Sequence, residues 1–279
     1  MTANLHTNPA PQRTTADADV ILRLENVNME FESDGNRVRA LEDFTLDVRR
    51  GEFLTIVGPS GCGKSTVLNS IVGLLQPTHG TVFYKGQPHS GINTEIGYVT
   101  QEDNLFPWRT ALGSVEFGME VRGFPKEERR RRALELFEAV GLKGFETHYR
   151  HQLSGGMRQR VNIIRTLSYR PEVILMDEPF GPLDAQTRII LQDELLKLWQ
   201  AEKATIIFIT HDLSEAIAMA DRVLVMSRRP GRVLALKEVK IPRPRDVYTI
   251  SEDPEYQRLH EELWRILREE VRPEGGGHR

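Results

Sequence analysis

The sequence predicts an α/β fold, a largely parallel sheet with helices on both faces. Short apolar runs alternate with helical stretches in "EVILMDE", "RIILQDELLKLWQ" and "ATIIFITHD", the rhythm of strand–helix–strand units. The glycine-rich run "GPSGCGKST" at residues 58–66 stands between an apolar strand and a helix. A chain of 279 residues with 39% hydrophobic and 28% charged residues has the length and composition to bury a full globular core.

Residues 1–19 are rich in Thr, Pro and Ala and lack the apolar stretch of a secretory signal, so a disordered tail is expected. The main domain is expected over 20–236. It begins with "VILRLENVNMEF" and "LEDFTLDVRR", whose alternation in "FTLDV" predicts half-exposed antiparallel strands. "EFLTIVG" reads as a buried strand running into a turn. "KSTVLNSIVGLL" places Val67, Leu68, Ile71, Val72 and Leu75 at helical spacing. "PTHGTVFYKGQP" reads as turn, strand, turn.

Residues from about 103 change character to a charge-rich helical insert. Its run "PKEERRRRALELFEAVGL" predicts a helix with Leu134, Phe137 and Val140 inward. The arginines form a solvated face or, alternatively, a partner patch. Strands return after about 165. The segment 237–279 reads as a proline-marked linker, a short amphipathic helix and a frayed "PEGGGHR".

Composition narrows the function. A net charge of −3 gives no basis for general nucleic-acid binding. The single cysteine, Cys62, excludes an internal disulfide. The longest apolar runs are strand-sized, well short of the roughly 20 residues of a spanning helix, and a cytoplasmic location is the expectation.

"GPSGCGKS" fits the phosphate-loop pattern residue for residue. Gly58, Pro59, Ser60, Gly61, Cys62 and Gly63 form the cradle, and backbone N–H groups with a helix N-terminus receive phosphate. Lys64 reaches the terminal phosphates, Ser65 can ligate Mg²⁺, and Thr66 completes the loop. Cys62 occupies a free position of the loop and reads first as a small filler residue; alkylating it should nonetheless block nucleotide binding. "VILMDEP" ends a strand in two acids. Asp177 suits Mg²⁺, and Glu178 is a candidate general base; an acid pair capping a helix is the competing explanation. His211, after "FIT", lies at the carboxyl edge of the sheet, where γ-phosphate sensing is feasible. A second glycine-rich stretch, "LSGGMRQR" at 153–160, joins a serine hydroxyl, glycine amides and a helix start, another anion site.

These stretches, with Gln101 in "YVTQEDNLFPW" and "GPLDAQ" at 181–186, stand in the order of the ATP-binding cassette family, which the chain resembles from about residue 21 to 230. The resemblance implies a RecA-like P-loop NTPase core, an antiparallel β subdomain and a signature-bearing helical subdomain at about 103–165. It implies ATP and Mg²⁺ as cofactors, and two cassettes packed head to tail. Ser154, Gly155 and Gly156 of one would then close over the γ-phosphate held by the other. Gln101 would touch Mg²⁺ and the attacking water, Asp184 would communicate across the dimer, and Phe31 would stack on adenine or serve simply as core. Pro182 departs from the alanine usual in the family.

"QEDNLFPWRT", "RRPGRV", "IPRPRD" and "DPEYQRLHEELW" are similar to the nitrate, sulfonate and taurine importer ATPases. That implies a peripheral subunit at the cytoplasmic face of the inner membrane. Its partners would be a permease, received by Phe106, Pro107 and Trp108, and a periplasmic or surface solute-binding protein. Importers of other small solutes, such as thiamine precursors, look alike. A DNA-repair cassette would need a long heptad insert, a translation factor a second phosphate loop, and a kinase would leave "LSGGMRQR" without a role.

Overall fold

The computed structural model describes residues 19–33 and 35–271; the expected tail before Asp19 and the "PEGGGHR" end lie outside them. Two sheets are stacked. In the first, β1 (Val20–Ser33) pairs antiparallel with β2 (Asn36–Arg49) and with β4 (His79–Tyr84), which carries the short β5 (Gln87–Pro88) at its edge. The predicted alternation holds, with Phe44, Leu46 and Val48 buried and Thr45 exposed.

The second sheet has the order β10-β9-β3-β8-β7-β6. Its strands are β3 (Phe53–Val57), β6 (Gly97–Val99), β7 (Val173–Asp177), β8 (Thr205–Ile209), β9 (Arg222–Met226) and β10 (Val233–Glu238). All neighbours are parallel except β10, which runs antiparallel to β9 at the edge. The central strands are buried on both faces because side chains alternate between two cores. Phe53, Ile206, Phe208 and Val223 face one core, and Leu54, Ile207, Ile209 and Leu224 the other. The first core is closed by α5 (Ala185–Glu202), α6 (Leu213–Met219) and α7 (Pro254–Val271). The second is closed by α1 (Lys64–Val72) and the antiparallel sheet.

The insert folds as α2 (Ala111–Glu120), α3 (Lys126–Ala139) and α4 (Gly155–Leu167) around their own apolar cluster. In α3 the inward stripe is Ala133, Leu136, Phe137 and Val140, at i, i+3, i+4, i+7. Leu134 is exposed, contrary to expectation, because 100° per residue carries it off that stripe. Arg130 faces Glu116, whereas Arg132 is mostly buried and pairs with Glu202 of α5, tying the insert to the core. α1 stops at Val72, so Leu75 lies beyond it. Gly73 takes φ +82°, where a Cβ would sit 1.7 Å from the Gly91 carbonyl oxygen, and only glycine fits.

The C-terminal segment differs most from expectation. The anticipated boundary at 236/237 falls inside β10, and α7 runs 18 residues rather than being short. Its stripe of Tyr256, Leu259, Leu263 and Leu267 belongs to the first core, so the extension is structural. Arg243 pairs with Asp221 and lies over the Trp199 ring. Arg245 is buried and donates to the carbonyls of Ile217, Ala218 and Ala220 at the end of α6, and to those of Val239 and Ile241. Burial, reinforced by Arg243, pushes its pKa down to about 10, so it is still a cation at neutral pH, placed at the negative end of a helix.

Candidate active site

The register of the parallel sheet assembles the site. Asp177 pairs with Ile209 and Ile209 with Ile56, so β3, β7 and β8 end side by side and their following residues meet at the carboxyl edge. The loop after β3 enters α1 through Gly63, at φ +110°. A Cβ there would lie 2.9 Å from Leu41, so the loop can sit tightly against β2 only with glycine. Lys64 opens the helix and is 6% exposed; its Nζ donates to the carbonyls of Gly58 (3.0 Å) and Pro59 (3.2 Å).

Glu178 stands next to it. One carboxylate oxygen is 3.7 Å from Lys64 Nζ and the other 3.0 Å from His211 Nδ1. Glu178 adopts φ +44°, in the left-handed region that costs a non-glycine residue of order 1 kcal/mol or more. Its N–H donates to the Ile209 carbonyl, and its own carbonyl accepts from Gly181. Those bonds hold the turn and aim the side chain back across the sheet edge. Asp177 is partly buried and hydrogen-bonded to the Ser65 hydroxyl; burial pushes its carboxyl up. A desolvated carboxylate beside a hydroxyl is a hard oxygen donor set of the kind Mg²⁺ takes together with substrate phosphates, so Ser65 and Asp177 fit the ion.

A cleft of about 330 Å³ opens above the loop. Phe31 and Val38, cross-strand partners at the tip of the β1–β2 hairpin, wall one side together with Ala40. The phosphate loop, Glu178 and Arg229 complete the cleft. Phe31 is partly exposed, as a ring available for stacking must be. Ser154, Gly155 and Gly156 do not line this cleft. Ser154 caps α4, accepting from Met157 N–H, and Gly156 lies so close to α5 that a Cβ would come 2.8 Å from Thr187. Asp184 caps α5, accepting from the N–H groups of Gln186 and Thr187 and from the Thr187 hydroxyl. Gln101, just past β6, borders the Gly181 turn, with its Nε2 3.9 Å from where a Cβ on that glycine would lie.

Cys62 is packed as a small filler residue would be. It is 1% exposed and burial pushes its thiol up, so the folded chain withholds the thiolate that alkylation requires. A thiol reagent should therefore label the native protein slowly and the urea-unfolded protein fully. Rapid labelling of the native form would mean the loop is not packed as described.

Sequence reasoning did not reach Arg229, Val38, Ala40 or Asp103. Asp103, although burial opposes it, is held ionised by Arg150 and Arg158, and so ties the segment after Gln101 to the start of α4. Arg229 stood in the sequence only within "RRPGRV", a family likeness that carried no site role.

The ABC transporter family matches residues 41–181. An uncharacterized ABC transporter ATP-binding protein of Methanocaldococcus jannaschii is 49% identical over 90% of this chain and 93% of its own length. The chain belongs to the ABC transporter family. As such it is an ABC-type ATPase, with the P-loop fold and the ATP chemistry of that family. The cassette is also 40% identical to a taurine import ATP-binding protein of Roseobacter denitrificans, over 88% of this chain and 93% of the relative. A solved dimeric bacterial ABC transporter cassette superposes with a TM-score of 0.71 at 35% identity, covering 79% of this cassette and all of the other. A post-hydrolysis dimer bound to ADP and Pi gives the same score at 34% identity. Among the described residues no helix is long and apolar enough to cross a membrane.

Proposed function

We propose that the cassette energises an importer of small sulfonate-type anions, with taurine, alkanesulfonates and nitrate as the solute set. The observation that carries this is the similarity to taurine import ATP-binding proteins over nearly the full chain. In this scheme two copies pack head to tail, which explains why Ser154, Gly155 and Gly156 stand outside their own cleft: they would cap the γ-phosphate in the partner's. Asp184, beside them on the cap of α5, would face the other copy. The loop amides and Lys64 bind the phosphate chain, and Phe31 stacks on the base. Ser65, Asp177 and Gln101 would hold Mg²⁺, which supplies charge neutralisation on the phosphates. Glu178 takes the proton of the attacking water, and His211, bonded to its other oxygen, keeps that carboxylate aimed.

The permease would meet the segment after Gln101. Trp108 is 72% exposed and stacks on Phe106, whose ring rests edge-on against Phe117 of α2, giving a rigid aromatic anchor of the type that dominates interfaces. The cassette would then sit at the cytoplasmic face of the inner membrane, beneath a permease served by a solute-binding protein, with no nucleic-acid role. The test is uptake of labelled taurine, alkanesulfonate and nitrate by cells carrying Glu178→Gln in place of the native chain. Loss of one or more assigns the solute. Normal uptake of all three would overturn the assignment in favour of another small solute, such as a thiamine precursor.

A further inference from the structure

The turn joining β9 to β10, "SRRPGR" at 227–232, is fastened to the nucleotide cleft through β2 and the phosphate loop. Gly231 pairs with Ala40 and Glu42 of β2, its N–H donating to the Ala40 carbonyl and its carbonyl accepting from the Glu42 N–H. A Cβ on Gly231 would lie 2.4 Å from the Cys62 carbonyl oxygen, so the turn is pressed against the phosphate loop itself. Within the turn, the Ser227 hydroxyl donates to the Arg228 and Pro230 carbonyls and accepts from Arg232 N–H, while the Arg232 side chain is engaged by Glu42. Arg229, carried at the apex of this frame, lines the cleft with Phe31 and the loop. Among the described residues it has no hydrogen-bond or ion-pair partner.

The charge balance of the cleft gives this position a consequence. Its charged side chains are Lys64, Glu178 and Arg229. Lys64 is opposed by Glu178 at 3.7 Å and shared with two loop carbonyls, so the cation and anion largely cancel, and Arg229 makes the cleft positive. A guanidinium with a free fork, on a rigid turn beside a phosphate-binding loop, is built for an anionic oxygen.

We propose that Arg229 is a nucleotide-binding residue whose guanidinium contacts the phosphate chain of ATP and ADP. The inference rests on the nucleotide occupying the cleft above residues 58–66. Titration calorimetry of ATP and ADP with the full-length wild type, R229A, R229K, R229E and K64A, at low and high salt, tests it. R229A should weaken both nucleotides about tenfold, the loss of one charge-assisted hydrogen bond. R229E should weaken them further, R229K should recover most of the loss, and the salt dependence of R229A should be shallower than that of the wild type. The melting temperature of nucleotide-free R229A should match the wild type, since no intramolecular partner is lost, which separates binding from folding. Wild-type affinity in R229A, with binding lost in K64A, overturns the role of Arg229 alone. Wild-type affinity in K64A as well would mean that the nucleotide sits elsewhere, and the inference falls with that placement.

Discussion

Glu178→Gln is expected to lower ATP turnover by roughly 10²- to 10⁴-fold, the range for removing a positioned general base, while ATP still binds. The amide is nearly the same shape as the carboxylate, so the turn held by the Ile209 and Gly181 bonds has no reason to move. The side chain can also keep a hydrogen bond to His211. What disappears is the capacity to take a proton from water, together with a negative charge 3.7 Å from Lys64. Removing that charge favours the bound triphosphate, so affinity should hold or rise. If two copies enclose ATP as proposed, slow hydrolysis also traps them together. Steady-state ATPase assays combined with light scattering in ATP and Mg²⁺ report both effects. Turnover within a few-fold of the wild type would remove Glu178 from the chemistry. A slow variant that stays monomeric in ATP would leave the chemistry and sink the head-to-tail arrangement.

Arg245→Ala is expected to destabilise the fold by about 2–3 kcal/mol, the size seen when hydrogen bonds from a charged donor to buried acceptors are lost. Five carbonyls, those of Ile217, Ala218, Ala220, Val239 and Ile241, lose a shared donor in a place where water enters poorly. The end of α6 also loses the positive charge that offsets its dipole. Arg245→Lys should recover little, since an ammonium cannot span both the helix end and the linker as a planar fork does. The damage should be local first, because Arg245 is the clasp between α6 and the segment leading to α7. Urea melts should therefore shift to lower midpoints, with earlier protease cleavage between Val239 and Pro254. An unchanged midpoint together with unchanged protection would show that α7 is held by its apolar stripe alone.

Both variants concern contacts that close between distant segments, and legibility divides along the same line. Phosphate-loop chemistry could be read directly because strand, glycine turn, lysine and helix are contiguous, and each residue type answers a local demand. Gly63 at φ +110° and Lys64 at the helix start are examples. The strand-to-acid turn at Asp177–Glu178 and the capped helix after Ser154 are local in the same way. In β3 and β8, short apolar runs spoke for a two-sided buried sheet, and both are buried throughout.

Helical spacing was less dependable where the phase was free. Leu134 turned outward because a run of charged residues leaves the position of a short stripe ambiguous by one residue. The C-terminal helix looked separable because its amphipathic pattern says only that one face is covered, not by what. That Cys62 is sealed from solvent could not be read, because a loop position carries no record of the distant turn at Gly231 pressed against it.

The sequence alone therefore determined the local character of each segment: a phosphate loop, a candidate metal-binding acid, a candidate base and a candidate second anion site, each set by residue types within a few positions. Only the tertiary structure decided which of them meet. It brought Glu178 to Lys64 and His211, carried Arg229 to the cleft and sealed Cys62 beneath it. It also turned Ser154 away from the cleft of its own chain. The physical reason is that sheet register and cross-segment packing depend on complementarity between residues tens to hundreds of positions apart. No local pattern of spacing or propensity encodes that pairing.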